Sequence, residues 1–165
     1  MKAELYWILL KPRRLGICPR PRGGDYLDDE IASLKNQGVD VLVSLLTDEE
    51  RAELDLTDEG EICARHGVEF VSFPIPDRSL PQNDSDARRL IDRLDEALFF
   101  EWKGVAIHCR AGIGRSSMIA AALLAHDSLT YDVDKAFDLI ARIRGCEVPD
   151  TPHQREWVMK FLGQS

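Results

Sequence analysis

A cysteine, five small or variable residues, an arginine and two serines run together in His108-Cys109-Arg110-Ala111-Gly112-Ile113-Gly114-Arg115-Ser116-Ser117. The apolar run Val105-Ala106-Ile107 precedes this stretch, and a strongly helical segment over residues 118–125 follows it. A strand, a small-residue loop and a helix start bring backbone N–H groups together on an anion. With a nucleophile at the head of the loop and a guanidinium at its end, the expected chemistry is covalent transfer of a phosphoryl group.

That chemistry makes demands on the loop. A free cysteine is only about 3% thiolate at pH 7, and the thiolate is the nucleophile, so the site must stabilise negative charge at sulfur. The loop amides, the positive end of the following helix and Arg115 are expected to supply it. Gly112 and Gly114 are expected to let the loop take positive φ and bring its amides close to the ligand. The amides of Ala111, Gly112 and Gly114 belong to the expected cradle, with Arg110 and Ile113 at its rim. A buried cysteine in a glycine turn would leave the arginine and hydroxyls without a purpose.

His108-Cys109, five residues, Arg115-Ser116 resembles the signature of the cysteine-dependent protein phosphatases, and the length suits their compact dual-specificity, kinase-associated-phosphatase-like branch. The resemblance implies a cysteinyl-phosphate intermediate at Cys109, held by Arg115, with Ser116 donating a hydrogen bond to the departing thiolate. It also implies a general acid on a separate loop, since the leaving oxygen needs a proton. Ile75-Pro76-Asp77, on a stretch stiffened by Pro74, Pro76 and Pro81, resembles the family's acid loop and makes Asp77 the candidate. Asp84 and Asp86 are rivals, though they stand where a helix start favours acidic residues. His108 precedes the nucleophile on a strand, so it points away from the pocket and is expected to order the loop from behind. Gln154 resembles the glutamine that positions water in some branches, while Thr151-Pro152-His153-Gln154 also has the spacing of a capping box. Tyr26 is a candidate wall residue.

The elements that would position these groups alternate between strand and helix. Strands are expected over residues 5–10, 39–46, 68–75 and 105–109. A Pro- and Arg-rich loop follows the first of them. Helices are expected over 28–37, after the capping-box spacing of Thr47-Asp48-Glu49-Glu50, and over 57–66 and 85–100. The helix over 117–125 is apolar nearly all round and should be central. Val133, Ala136, Phe137 and Ile140 define another, and Thr151-Pro152 opens the last. The order predicts an α/β domain spanning 1–165, a central, mostly parallel sheet with helices on both faces. Such sheets bind ligands at the carboxyl ends of their strands, where Cys109 and Asp77 would both lie.

Composition narrows the partners. With 165 residues, 44% of them hydrophobic, the chain has material for one core. A net charge of −8 disfavours nucleic acid and anionic membranes. The exception is Lys11, Arg13, Arg14, Arg20 and Arg22, with no acidic residue among them, which could form a solvated loop or a docking surface for acidic substrates. The run over residues 5–10 is too short for a signal segment or membrane span. Four widely spaced cysteines with no Cys-x-x-Cys pair, and a lone Cys63-x-x-His66, imply no metal and no cofactor. A free catalytic thiol implies a reducing, cytoplasmic setting, and a monomer is expected. The substrate implied is a phosphorylated protein or small phosphoester. Inositol phosphates or phosphoinositides are the alternative within the fold, although the loop lacks the lysines of lipid-specific relatives. A rhodanese-like sulfurtransferase or a silent phosphate-binding module are the alternatives of other classes.

Overall fold

Strand β1 (Tyr6–Leu9) runs antiparallel to β2 (Leu15–Cys18), which lies parallel to β5 (Val105–His108). β5 in turn lies parallel to β3 (Val41–Ser44), and β3 to β4 (Glu69–Ser72). The five-stranded sheet therefore has the order β1-β2-β5-β3-β4. These relations come from a computed structural model that describes residues 2–10, 12–126 and 131–163.

Alternation along each strand sorts the side chains into two cores. Val41, Val43, Val105 and Ile107 face one side, where α4 (Asp84–Phe99), α5 (Arg115–His126), α6 (Val133–Arg144) and α7 (Pro152–Phe161) cover them. Leu42, Ala106 and Cys18 face the other, under α1 (Leu27–Asn36) and α3 (Glu59–Arg65). A short helix, α2 (Asp48–Glu53), follows β3 and carries the expected capping box. Thr47 accepts from the Glu50 N–H, and Glu50 accepts from the Thr47 N–H. Every residue of α5 from Arg115 to Ala125 is buried. A helix apolar all round has to be central, and this one is packed between the sheet and α4, α6 and α7. The expected α/β architecture with helices on both faces is the one observed.

Strand β2 is a correction. Residues 12–22 read as a loop because Leu15-Gly16-Ile17-Cys18 is a four-residue run, with a glycine, between Pro12-Arg13-Arg14 and Pro19-Arg20-Pro21-Arg22. All four residues are nevertheless buried, in a strand between β1 and β5. Two flanking strands supply hydrogen bonds and burial that outweigh weak local propensity.

The same strand divides the basic segment. Arg14 lies at the start of β2, where its carbonyl accepts from the Val105 N–H at 2.8 Å and its guanidinium pairs with Asp40. Arg13 stacks on Phe99, 4.0 Å from the ring centre. Arg20 and Arg22 follow the other end of the strand. The basic residues thus leave the strand from both of its ends, and Lys11 lies outside the described residues.

No helix among the described residues is long and apolar enough to cross a membrane.

Candidate active site

β5 ends at His108, and the chain then turns through residues 109–114 before α5 begins at Arg115. Cys109 is 3% exposed, and its Sγ lies 3.3 Å from the Ser116 Oγ at the helix start. Gly112 has φ 70°, and a Cβ there would meet the Cys18–Pro19 backbone at 2.7–2.8 Å. Glycine is needed at this turn on both counts. The expectation for Gly114 is corrected, because it is not among the positive-φ residues. A Cβ on it would instead strike the Asp150 carboxylate, so space rather than φ calls for glycine there. Arg144 fixes the loop from behind, donating from Nε to the Gly112 carbonyl at 2.8 Å and from Nη2 to the Ala111 carbonyl at 3.1 Å.

A cavity of about 170 Å³ opens over the loop, walled by Cys109, Arg110, Ala111, Gly114 and Arg115. Asp77 and Arg78 close it from the loop after β4, and Asp150 from the loop before α7. Ile113, expected at the rim, is partly buried against the main core and is not part of the wall. Gly112 also lies outside the wall, turned against β2. Tyr26 stays out of the cavity, exposed beneath the Arg22 guanidinium at 4.6 Å. Asp84 accepts from the Trp157 indole at 3.0 Å, and Asp86 pairs with Arg89, so neither rival acid lines the cavity.

Arg115 is 2% exposed and its partners set its orientation. Nη1 donates to Glu50 Oε1 at 2.7 Å and to the Ile75 carbonyl at 2.8 Å, while Nη2 donates to Glu50 Oε2 at 3.0 Å. Glu50 thus occupies the end-on edge of the guanidinium, and the edge formed by Nε and Nη2 remains for a second bidentate partner. Asp77 Oδ1 lies 3.3 Å from Nη2. Burial alone would raise the Glu50 pKa, but the hydrogen bonds from Arg115 and the Thr47 N–H outweigh it and hold the carboxyl below its ordinary value. Sequence reading saw Glu50 only as the third helical position of a capping box. Its reach to an arginine 65 positions away leaves no local trace.

Glu50→Gln should separate these two roles, since glutamine preserves a capping box. Losing the charge-assisted pair should lower kcat/KM roughly 10–100-fold, the range of about 1.5–3 kcal/mol that hydrogen bonds to charged groups supply. Because the folded pKa is lowered, the Glu50 contribution to stability is present above the ordinary carboxylate pKa and lost as pH falls through the folded value. The Tm gap between wild type and Glu50→Gln should therefore be widest near neutrality and close in acid. Unchanged kcat/KM would remove Glu50 from the site.

His108 is fully buried behind the loop. Its Nδ1 lies 3.0 Å from the Cys109 carbonyl and its Nε2 2.6 Å from the buried Glu59. Both neighbours are acceptors, so an imidazolium satisfies both. Burial works against that charge, but Glu59 and the carbonyl outweigh it and the His108 pKa lies above its ordinary value. Gln154 is also fully buried, and its amide is used internally. Oε1 accepts from the Asp150 and Thr151 N–H groups, and Nε2 donates to the Ser79 carbonyl at 3.1 Å. It therefore caps α7 and ties that helix to the Asp77 loop, without lining the cavity. Asp150, which the sequence reading passed over, stands in the wall instead.

Cys63 is buried. Desolvation first, and the Glu59 charge second, push its thiol up to about 12, while His66 pairs with Asp28. No group of three or more His, Cys, Asp or Glu side chains among the described residues is arranged to hold a metal ion.

A doubly covered α/β sheet with a Cys-x5-Arg loop at its strand ends defines a cysteine-dependent phosphatase of the dual-specificity type, and the comparisons with known proteins agree. The model of the family described as "Polymorphic toxin system, DSP-PTPase phosphatase" matches residues 18–128, and the chain belongs to that family. Rat cyclin-dependent kinase inhibitor 3 is 26% identical over 153 residues, covering 89% of this chain and 71% of the relative. A crystal structure of kinase associated phosphatase, with its catalytic site cysteine replaced by serine, superposes with a TM-score of 0.87. It is 21% identical and covers 98% of this chain and 94% of that one. The active form of Tk-PTP superposes at 0.77 with 25% identity, covering 98% and 97%.

Proposed function

We propose that this phosphatase hydrolyses phosphate monoesters on phosphorylated proteins in two steps. Cys109, Arg115, Asp77 and Ser116 carry the chemistry, and the loop amides over residues 110–115 form the cradle. In the first step the Cys109 thiolate attacks phosphorus in line. The S–P bond forms as the ester P–O bond breaks, and Asp77 gives its proton to the departing oxygen. In the second step Asp77, now a carboxylate, takes a proton from water as the water oxygen attacks phosphorus. The S–P bond breaks, inorganic phosphate leaves, and Ser116 donates a hydrogen bond to the returning thiolate. Arg115 holds two equatorial oxygens through the Nε/Nη2 edge, and charge developing on them is stabilised without reorganisation.

The observation that carries this reading is the meeting of three groups from separate parts of the chain. The Asp77 carboxylate reaches the Arg115 guanidinium at 3.3 Å, in the cavity that Cys109 also lines. A sulfurtransferase has no use for that carboxylate. A silent binding module would need neither the acid nor the serine 3.3 Å from sulfur.

The test is a rapid-quench assay on phosphotyrosine and phosphothreonine peptides, followed by mass spectrometry of the Cys109 peptide. Turnover with a transient phosphate adduct on Cys109 is expected, and transfer of sulfur from thiosulfate to cyanide is not. Turnover without an adduct at Cys109 would overturn the covalent route.

A further inference from the structure

We propose that Arg78 determines substrate specificity, selecting phosphopeptides that carry a carboxylate side chain next to the phosphorylated residue. The proposal rests on the phosphatase reading above and names the substrate class of that site.

Among the described residues, Arg78, Arg110 and Arg115 line the cavity and Arg144 holds its loop, and all but Arg78 are occupied. Arg115 is held by Glu50 and Ile75, and lies 3.3 Å from Asp77. Arg110 pairs with Glu53 at 3.0 Å and reaches Glu50 at 3.5 Å. Arg144 is spent on the loop carbonyls and lies over the Tyr6 ring at 4.1 Å. Arg78 differs from all three. It lines the cavity, it is exposed, and its side chain makes no hydrogen bond or ion pair among the described residues.

The backbone at Arg78 sharpens the point. Its φ is 58°, in the left-handed region, where a long side chain is strained and glycine or asparagine is tolerated better. The turn is held on both sides, by the Ser79 N–H donating to the Pro76 carbonyl at 3.0 Å and by Gln154 donating to the Ser79 carbonyl. The turn itself therefore gives no reason for arginine. An unpaired guanidinium held on the cavity wall, one residue from the candidate acid, is placed to meet a group just outside the phosphoester.

Charge decides what that group is. The other charged and exposed side chains of the wall are Asp77, Asp150 and Arg110, and the Arg110 guanidinium is taken up by Glu53 and Glu50. With Arg110 and Arg115 already paired, a carboxylate on the peptide finds the unpaired guanidinium of the wall at Arg78. A planar guanidinium pairs with a carboxylate in bidentate fashion, so an aspartate or glutamate beside the phospho-residue is the partner that fits.

Matched phosphopeptides with glutamate or glutamine on either side of the phosphorylated residue test the proposal. Wild type should favour glutamate at one of the two positions by about fivefold in kcat/KM, the upper range of a solvent-exposed ion pair. The preference should lie mainly in KM and shrink as salt is raised. Arg78→Asn, which tolerates the left-handed turn, should bring the ratio to about one, and Arg78→Lys, which keeps the charge but loses the planar fork, should leave a ratio between the two. A purely structural role would produce the opposite pattern, with asparagine keeping the ratio. No glutamate preference in wild type, or a preference surviving Arg78→Asn, would overturn the proposal while turnover of the glutamine peptide still supports the phosphatase reading. Failure of wild type to hydrolyse any of the peptides would overturn that reading itself.

Discussion

Cys109→Ser should yield a protein that binds phosphate at least as well as wild type and turns substrate over at least about 10⁴-fold more slowly, because removing the nucleophile removes the covalent route. Its oxygen is a far weaker nucleophile at neutral pH than a thiolate. The Arg144 contacts to the loop carbonyls, the Gly112 turn against β2 and the Glu50–Arg115 pair do not involve sulfur. The cradle should therefore survive intact. Losing the thiolate also removes a negative charge beside a dianionic ligand, so calorimetry should give a phosphate Kd equal to or tighter than that of wild type. Alkylation supplies an independent readout. Burial first and the Glu59 charge second raise the Cys18 and Cys63 thiols, so both should react slowly with iodoacetamide. Cys146 is exposed and should react regardless of ligand. Labelling at Cys109 should fall when phosphate is added and vanish in the variant. An active serine variant would end the covalent mechanism.

The features legible in the sequence were those whose causes lie close together along the chain. The strand–loop–helix around Cys109 could be read because the apolar run, the glycines and the helical segment are adjacent. The capping boxes at Thr47 and Thr151 were equally local. β2 was not legible, because its four residues become a strand only between β1 and β5, and neither neighbour leaves a mark in Leu15-Gly16-Ile17-Cys18. The partners that orient the loop were hidden for the same reason. Glu50, Glu59 and Arg144 reach it from α2, α3 and α6, by contacts spanning 65, 49 and 32 positions. Where sequence offered two roles for one residue, packing settled the geometry. Gln154 is enclosed with both its amide oxygen and its amide nitrogen engaged, and Asp150, four residues earlier, has the carboxylate in the cavity wall.

Asp77→Asn should be the most discriminating variant, because its effect should depend on the leaving group. Phosphoserine and phosphothreonine leave as alkoxides, strong bases that need a proton as the P–O bond breaks. An aryl phosphate with an electron-withdrawing ring leaves as a stable anion. General acid catalysis is typically worth 10²–10⁴-fold, so kcat on the alkyl esters should fall by about that much, with a far smaller loss on the activated aryl ester. The second step adds its own signature. Asparagine cannot take a proton from water, so the phosphate adduct on Cys109 should accumulate with the aryl substrate, where its formation is least impaired. Asparagine still offers a side-chain oxygen to Arg115 Nη2, now 3.3 Å from Asp77 Oδ1, and the turn below it is held by Gln154 and Ser79. Loop geometry should therefore change little, and the deficit can be read as lost proton transfer. Equal damage to alkyl and aryl substrates would instead make Asp77 a structural member of the proline-rich turn. The search for the acid would then pass over Asp84 and Asp86, which are engaged with Trp157 and Arg89. It would move to Asp150, the other carboxylate in the cavity wall apart from Asp77 among the described residues, and Asp150→Asn would be expected to show the leaving-group dependence that Asp77→Asn lacked.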